Sequence, residues 1–467
     1  MDAIIQINDT INSFVWGPVM LILLVGTGLY LSIATGFLQF TRFGYAMKNT
    51  IGKIFHKGEA GHGEITPFQA VTTALAATVG TGNIAGVTGA IVAGGPGAVF
   101  WMWVSALFGM VTKYAEVLLA VKYRERNEHG EWVGGPMYYI KNGLGKKFKW
   151  LGTIFAVLGA IAAFGIGNIS QINSIADSVN QVAQAFNPAA ADAKGTIALI
   201  TGIIVAVFVA LVVIGGVKRI GQVTEKLVPF MAVIYIICAL IVVILHIGAI
   251  PAVFASIVTG AFNPSAVVGG AVGITVRLAM TKGVGRGVFS NEAGLGSAPI
   301  AHASSSERDP VRQALYGIFE VFMDTIVICT LTALVVLCSG VAEGNFGNSA
   351  VAGASTTIAG FSTVFGPKFG SSLLALGLFL FATSTILGWS LYGTRCIEYL
   401  FGHKAVRPYQ ICFVIVIVLG AVADLKLVWD ISDTLNGLMA IPNLIGLLLL
   451  SPVVIKVSKD YFKAIKR

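Results

Sequence analysis

The chain has 467 residues, 56% of them apolar and only 11% charged. At a mean hydropathy of +0.83, that much apolar surface cannot be hidden in one soluble core, so the composition predicts a polytopic membrane protein. The net charge of +9 lacks an interleaved aromatic reading surface, which argues against nucleic acid as a partner and points to anionic membrane lipid.

The N-terminus opens with the polar run MDAIIQINDTIN rather than a basic region and a cleavage site, so the first apolar run reads as a retained helix. Runs long enough to cross a hydrocarbon core of ~30 Å fall near 17–37, 69–94, 98–121, 151–180, 196–215, 227–247, 266–282, 314–338, 371–394, 409–423 and 434–455. Every second loop between them is basic, carrying 26 of the 31 Lys and Arg residues against three in the alternate loops. By the positive-inside rule the N-terminus lies outside and the C-terminus in the cytoplasm. The five cysteines fall in or beside apolar runs without a CxxC pair, and indicate neither a disulfide framework nor a metal site.

The second run, TTALAATVGTGNIAGVTGAI from Thr72 to Ile91, places Gly80, Thr81, Gly82 and Asn83 mid-span. Backbone released from a helix there cannot face lipid and must face protein or a water-filled cavity. Two half-helices meeting at such a break direct N–H groups at an anion and carbonyls at a cation, a site for a small zwitterion and an alkali ion. The alternative is that the glycines serve only close helix packing. A second glycine-interrupted run, VVGGAVGITVRLAMTKG from Val267 to Gly283, predicts a partner break near Gly273. Setting the first helix aside, the two breaks occupy the first and sixth of ten spans, as expected of two inverted five-helix halves.

The stretch PGAVFWMWVSALFG, from Pro96 to Gly109, resembles the signature of the alanine or glycine:cation symporter family. GRGVFSNEAGLGSAPIAHA, from Gly285 to Ala303, is similar to that family's long cytoplasmic segment. The resemblance implies a sodium-coupled, sometimes proton-coupled, carrier of alanine and glycine with the LeuT-like inverted-repeat fold of neurotransmitter:sodium symporters. The expected layout is therefore all-α with about eleven transmembrane helices. An extra N-terminal helix and its connection fill 1–66, one five-helix repeat 67–249 and its inverted partner 250–467, with two discontinuous helices.

The resemblance further implies that Gly80, Thr81 and Gly82 bind the substrate carboxylate through backbone N–H groups, with Thr78 and Asn83 flanking them. Carbonyls of Ala76 and Val79 would ligate sodium together with hydroxyls from LFLFATSTILGWS, where Thr383, Ser384 and Thr385 offer hard oxygen donors. Such hydroxyls also bond commonly to carbonyls of their own helix. For the substrate ammonium, Asn168 and Gln171 stand at i and i+3 on one helical face, and unwound carbonyls at Gly273, Ile274 and Thr275 are the other acceptors. Phe164 or Trp389 could cap the pocket.

Charges inside spans are costly and are functional candidates. Arg277 is expected to pair with Asp324 or Glu320, either as a gate or as a static ion pair orienting helices, and Lys113 with Glu116 near a helix end. No converging nucleophile, base or carboxylate cluster indicates an enzyme, and broken helices with a midplane site argue for alternating access over a continuous pore. The expected function is import of small neutral amino acids with a co-transported sodium ion. Proton coupling of the same fold is the alternative, and the oligomeric state is left open.

Overall fold

Thr66 and Gln69 cap the helix that leads into the first break. The Thr66 hydroxyl accepts from the Gln69 N–H and the Gln69 side chain accepts from the Thr66 N–H, each at 3.1 Å. Pro67 fills the first helical position, where no N–H is needed. The computed structural model describes residues 2–53, 61, 63–268, 274–348, 353–423 and 426–465. Ahead of the capped helix lie α1 (Asp2–Val15) and α2 (Pro18–Ala34). The capped helix, α3 (Pro67–Thr78), stops at the extended residue Val79. The chain resumes as α4 (Gly82–Gly94) at 51° to α3.

The rest of the first half is α5 (Gly97–Lys122), α6 (Lys146–Phe186), α7 (Lys194–Val213) and α8 (Gly216–Leu245). A short hairpin of β1 (Glu125–Arg126) and β2 (Trp132–Val133) joins α5 to α6. Then come α9 (Ile250–Phe262), α10 (Val276–Asn291), α11 (Pro299–Ala303), α12 (Pro310–Cys338), α13 (Ala354–Phe365), α14 (Pro367–Phe401), α15 (Val406–Val422) and α16 (Lys426–Ile465). Among the described residues nine helices are long and apolar enough to cross a membrane, and α3 with α4 forms a bent tenth crossing.

An interruption that the sequence did not suggest follows the run in which the partner break was expected. Gly273 lies outside the described residues, Ile274 is buried, and Thr275 is exposed, its hydroxyl capping α10 by accepting from the Leu278 N–H at 3.1 Å. The interruption falls at residues 292–298, between α10 and α11, where Glu292, Gly294 and Gly296 all have positive φ. α10 follows α5 from the Gly94 end, with Gly94 against Ala279, Gly287 against Met102 and Gly109 against Ala293. α11 ends beside Arg124, whose Nη1 donates to the Ala303 carbonyl at 3.0 Å. The two pieces thus form one more, broken, crossing. The stretch 285–303, expected in the cytoplasm, is therefore inside the bundle, and its polar residues from Ser290 onward are buried because they bond to other protein groups rather than to water.

The same placement corrects the charge pattern. Lys282 and Arg286 line a cavity with Ala93 and Gly353 at the end of the bundle opposite the basic loops. At the basic end, Glu64 accepts from Arg126 (2.8 Å), Arg308 (2.6 Å) and the Trp132 indole (2.9 Å). Ile65 is bridged to the strand-like segment at Ser305. This clasp ties the start of α3 to the hairpin and to the loop before α12.

Candidate functional site

Three turns are wide and π-helical: Gly82–Gly86 in α4, Gly165–Ile169 in α6 and Phe322–Cys329 in α12, the first and third of which meet. Such turns free backbone groups and are frequent at functional sites. They carry Asn83, Asn168 and Asp324, each fully buried.

At the first break the Thr385 hydroxyl lies 3.1 Å from the Ala76 carbonyl, 3.4 Å from that of Val79 and 3.0 Å from that of Phe381. The Ser384 hydroxyl lies 3.3 Å from the same Ala76 carbonyl and 2.8 Å from Phe381. A hydroxyl has one proton to donate, so Thr385 can satisfy only one of its three neighbours. The result is a surplus of hard, neutral oxygens in a buried place, a donor set that fits an alkali cation. Gly80 is glycine because a Cβ there would stand 2.5 Å from Thr385 Oγ1. Thr383, the third expected ligand, does not join them; its hydroxyl is buried without a partner.

On the other side of the break, Asn83 acts as a brace. Its Oδ1 accepts from the Gly80 N–H at 2.9 Å, and its Nδ2 donates to Asp324 Oδ1 at 2.6 Å. Asp324 also accepts from Ser290 on α10 (2.9 Å) and from Thr325 (2.8 Å). One carboxylate therefore links α4, α10 and α12. The Thr81 N–H reaches Gln171 Oε1 at 3.4 Å, and Gln171 Nε2 is anchored on the Ile166 carbonyl at 2.9 Å. A cavity of about 430 Å³ runs from Thr81 and Gly82 past Phe289 toward Asp177 and Arg286.

Other expected residues are placed elsewhere. The wide turn at Gly165–Ile169 takes Asn168 and Gln171 off a common face, and Asn168 Nδ2 donates to the Phe413 carbonyl at 2.7 Å on α15. Phe164 stacks edge-on against Tyr409 at 5.0 Å, also away from the break. Trp389 packs against Gly167, where there is no room for a Cβ. The Thr78 hydroxyl bonds back to the Ala74 carbonyl of its own helix at 3.2 Å.

The expected ion pairs are also redrawn. Arg277 is exposed in the first turn of α10, whereas Glu320 is wholly buried and held by Lys113 (3.1 Å) and His302 (3.1 Å). Glu116 does not pair with Lys113 but accepts from the Gly294 N–H at 3.1 Å and from Asn443 at 2.6 Å. Sequence reasoning missed Ser290, Glu292 and Asn443. The adjacent polar letters of SNEAGLGS, in a stretch otherwise apolar, were the available signal.

The profile of the Sodium:alanine symporter family matches residues 1–467. Among curated proteins, the chain is 51% identical to the sodium/alanine symporter AgcS of Methanococcus maripaludis over 99% of this chain and 98% of that one. It is 39% identical to the probable sodium/glutamine symporter GlnT of Bacillus subtilis, covering 96% and 89% of the two. Among solved structures, MhsT in complex with L-phenylalanine superposes with a TM-score of 0.60 at 12% identity, over 85% of this chain and 99% of that one. That likeness shows the fold, the LeuT-type inverted repeat.

Proposed function

We propose, on the premise that the chain belongs to the sodium:alanine symporter family, that it imports alanine and glycine with sodium by alternating access. It is a multi-pass membrane transporter for sodium-coupled amino-acid transport and not an enzyme. The observation that carries the finer reading is the crowding of the Ala76 and Val79 carbonyls with the Ser384 and Thr385 hydroxyls at the break. Sodium is held there between α3 and α14, so that its binding fixes the break in one shape.

The substrate carboxylate is bound by the backbone N–H groups of Thr81 and Gly82 at the start of α4, where the helix end favours an anion. Gln171 Oε1, at 3.4 Å from the Thr81 N–H, is close enough to accept from the substrate ammonium instead. Asp324 positions the break through Asn83 and reports its shape to α10 and α12, a gating role that does not involve Arg277. Repeats 67–249 and 250–467 move against each other about the two breaks, with 1–66 packed outside them. The N-terminus and the cavity at Asp177 and Arg286 face outside, and the basic clasp faces the cytoplasm. A proton-coupled form of the same cycle is the competing reading.

The test is uptake of labelled alanine into proteoliposomes under an inward sodium gradient, set against potassium with a proton gradient. Sodium-dependent accumulation that is lost on Thr385→Ala supports the reading. Accumulation driven by protons alone removes the sodium site, and no accumulation under either gradient removes the substrate class.

A further inference from the structure

The second break is surrounded by more negative charge than the transport site uses. Glu116, Glu292 and Glu320 and a single lysine, Lys113, are each at most 3% exposed there. Lys113 is accounted for by Glu320, 3.1 Å away. His302 is engaged at both ring nitrogens. The Ser305 hydroxyl donates to Gln313 Oε1 (2.9 Å), which turns Gln313 Nε2 toward His302 Nδ1 (2.8 Å). His302 Nε2 in turn lies 3.1 Å from Glu320 Oε2, so His302, like Lys113, is spent on Glu320.

Among the described residues neither Glu116 nor Glu292 has a cation of its own: the charge that attracts both is Lys113, which is already paired with Glu320. Glu116 takes the Gly294 N–H and Asn443 Nδ2 on Oε1, while Oε2 is buried with no partner among the described residues. Glu292 accepts from the Ser297 hydroxyl at 2.5 Å and from the Trp389 indole. The Tyr392 hydroxyl on α14, which interacts electrostatically with Glu292, is buried and unpartnered as well. Two carboxylates that share one already paired lysine, this far from water, are not tolerated together. Binding one proton leaves a single carboxylate. Glu116 is met by a backbone N–H and an amide N–H, neither of which can accept, whereas Glu292 has beside it the hydroxyls of Ser297 and Tyr392, either of which can accept from a carboxyl O–H, so the proton falls to Glu292. Glu292 also sits at the turn itself, in a left-handed conformation (φ 57°) that a non-glycine residue adopts only when its surroundings impose it.

We propose that Glu292 is a proton-binding site of the transport cycle, neutral in the conformation described and required to be neutral for the second break to change shape. The proton comes from hydronium in water admitted to the break: one O–H bond of hydronium breaks, the O–H on a Glu292 carboxyl oxygen forms, and a neutral water is left. Of the groups that face it, Lys113, Glu320 and His302 form the balanced network described above, while Glu116 and Tyr392 supply the unpartnered oxygens. Tyr139 lies beyond Asn443, to which it is hydrogen-bonded, and Asp324 is taken up by Asn83, Ser290 and Thr325.

The inference rests on the transport reading, and two measurements separate them. In proteoliposomes with sodium fixed, wild-type alanine uptake should fall as pH rises, approaching about tenfold per pH unit once Glu292 ionises. Glu292→Gln, permanently neutral, should have a flat profile relative to its own maximum. A wild-type profile in Glu292→Gln at matched reconstitution overturns the proposal while leaving sodium-coupled transport standing. Independently of uptake, the purified wild-type protein at neutral pH should show the infrared C=O stretch of a protonated, buried carboxyl, and Glu292→Gln should lose it. A wild-type spectrum without that band overturns the proposal even if the variant does not fold.

Discussion

Gly80→Ala is the most direct probe of the first break, because the added atom has a computable place. A Cβ at Gly80 would stand 2.5 Å from Thr385 Oγ1 and 3.3 Å from Gln171 Oε1, whereas ordinary contact begins at 3.4 Å. Thr385 would have to retreat by roughly 0.9 Å or the break would have to open, and overpacking of this kind costs about 1–3 kcal/mol. Thr385 is the hydroxyl that approaches the Ala76 and Val79 carbonyls. The cost therefore falls on the sodium-bound shape, and sodium affinity should drop by about 5-fold to 150-fold. The assay is the sodium dependence of labelled-alanine uptake in proteoliposomes at fixed alanine. Gly82→Ala is the comparison, since its Cβ would meet Phe289 at an ordinary 3.4 Å and should shift sodium dependence less. An unchanged half-saturating sodium concentration in Gly80→Ala, at normal reconstitution, would refute the placement of the ion beside Thr385.

Thr385→Ala should raise the half-saturating sodium concentration, and Thr383→Ala should do so far less, since the Thr383 hydroxyl does not meet the Ala76 and Val79 carbonyls; equal shifts measured in the same uptake assay would contradict the geometry. Asp324→Asn should insert and express normally but slow uptake, because Asn83 and Ser290 then lose a charged acceptor; normal uptake at normal expression would exclude the gating role. Lys113→Ala strands the buried Glu320 carboxylate, a loss of about 3–5 kcal/mol for a broken buried pair, and should lower the thermal unfolding midpoint of the detergent-purified protein; an unchanged midpoint would count against the pair. Burial alone would push the Glu64 carboxyl up, but hydrogen bonds from Arg308 and the Trp132 indole hold it below its ordinary 4.5. Its contribution to stability is then present above that value and is lost as pH falls through the lowered one. Thermal stability should decline on acidification below 4.5, less steeply in Glu64→Gln, and identical declines would remove Glu64 as the cause.

The first break was legible because two signals coincide there: Gly80, Thr81, Gly82 and Asn83 interrupt a run that is otherwise apolar enough to span. The interruption at residues 292–298 was not, because the burial of its polar turn depends on partners far away in sequence. Glu116 and Asn443, the groups that make residues 292–298 tolerable inside the bundle, are 327 positions apart. The ion pairs failed for the same reason. Lys113 and Glu116 are neighbours on one helix face, but Glu320 comes from a different helix, and nothing in local spacing ranks a distant partner above a near one. The grouping of Ala76 and Val79 with Ser384 and Thr385 came from family resemblance rather than from spacing, since over 300 residues separate them.

The three wide turns also alter how this protein must be numbered in space. A π-helical turn accommodates an extra residue, and one residue of an α-helix corresponds to about 100° of rotation. Positions before and after Gly165–Ile169 or Phe322–Cys329 therefore belong to different helical wheels, and a cysteine scan or cross-linking map drawn on one continuous wheel will assign the far half of α6 or α12 to the wrong face. Removing a single residue from Phe322–Cys329 would act on function without deleting any named ligand: it would keep every side chain of Thr330–Cys338 and turn all of them away from their present neighbours.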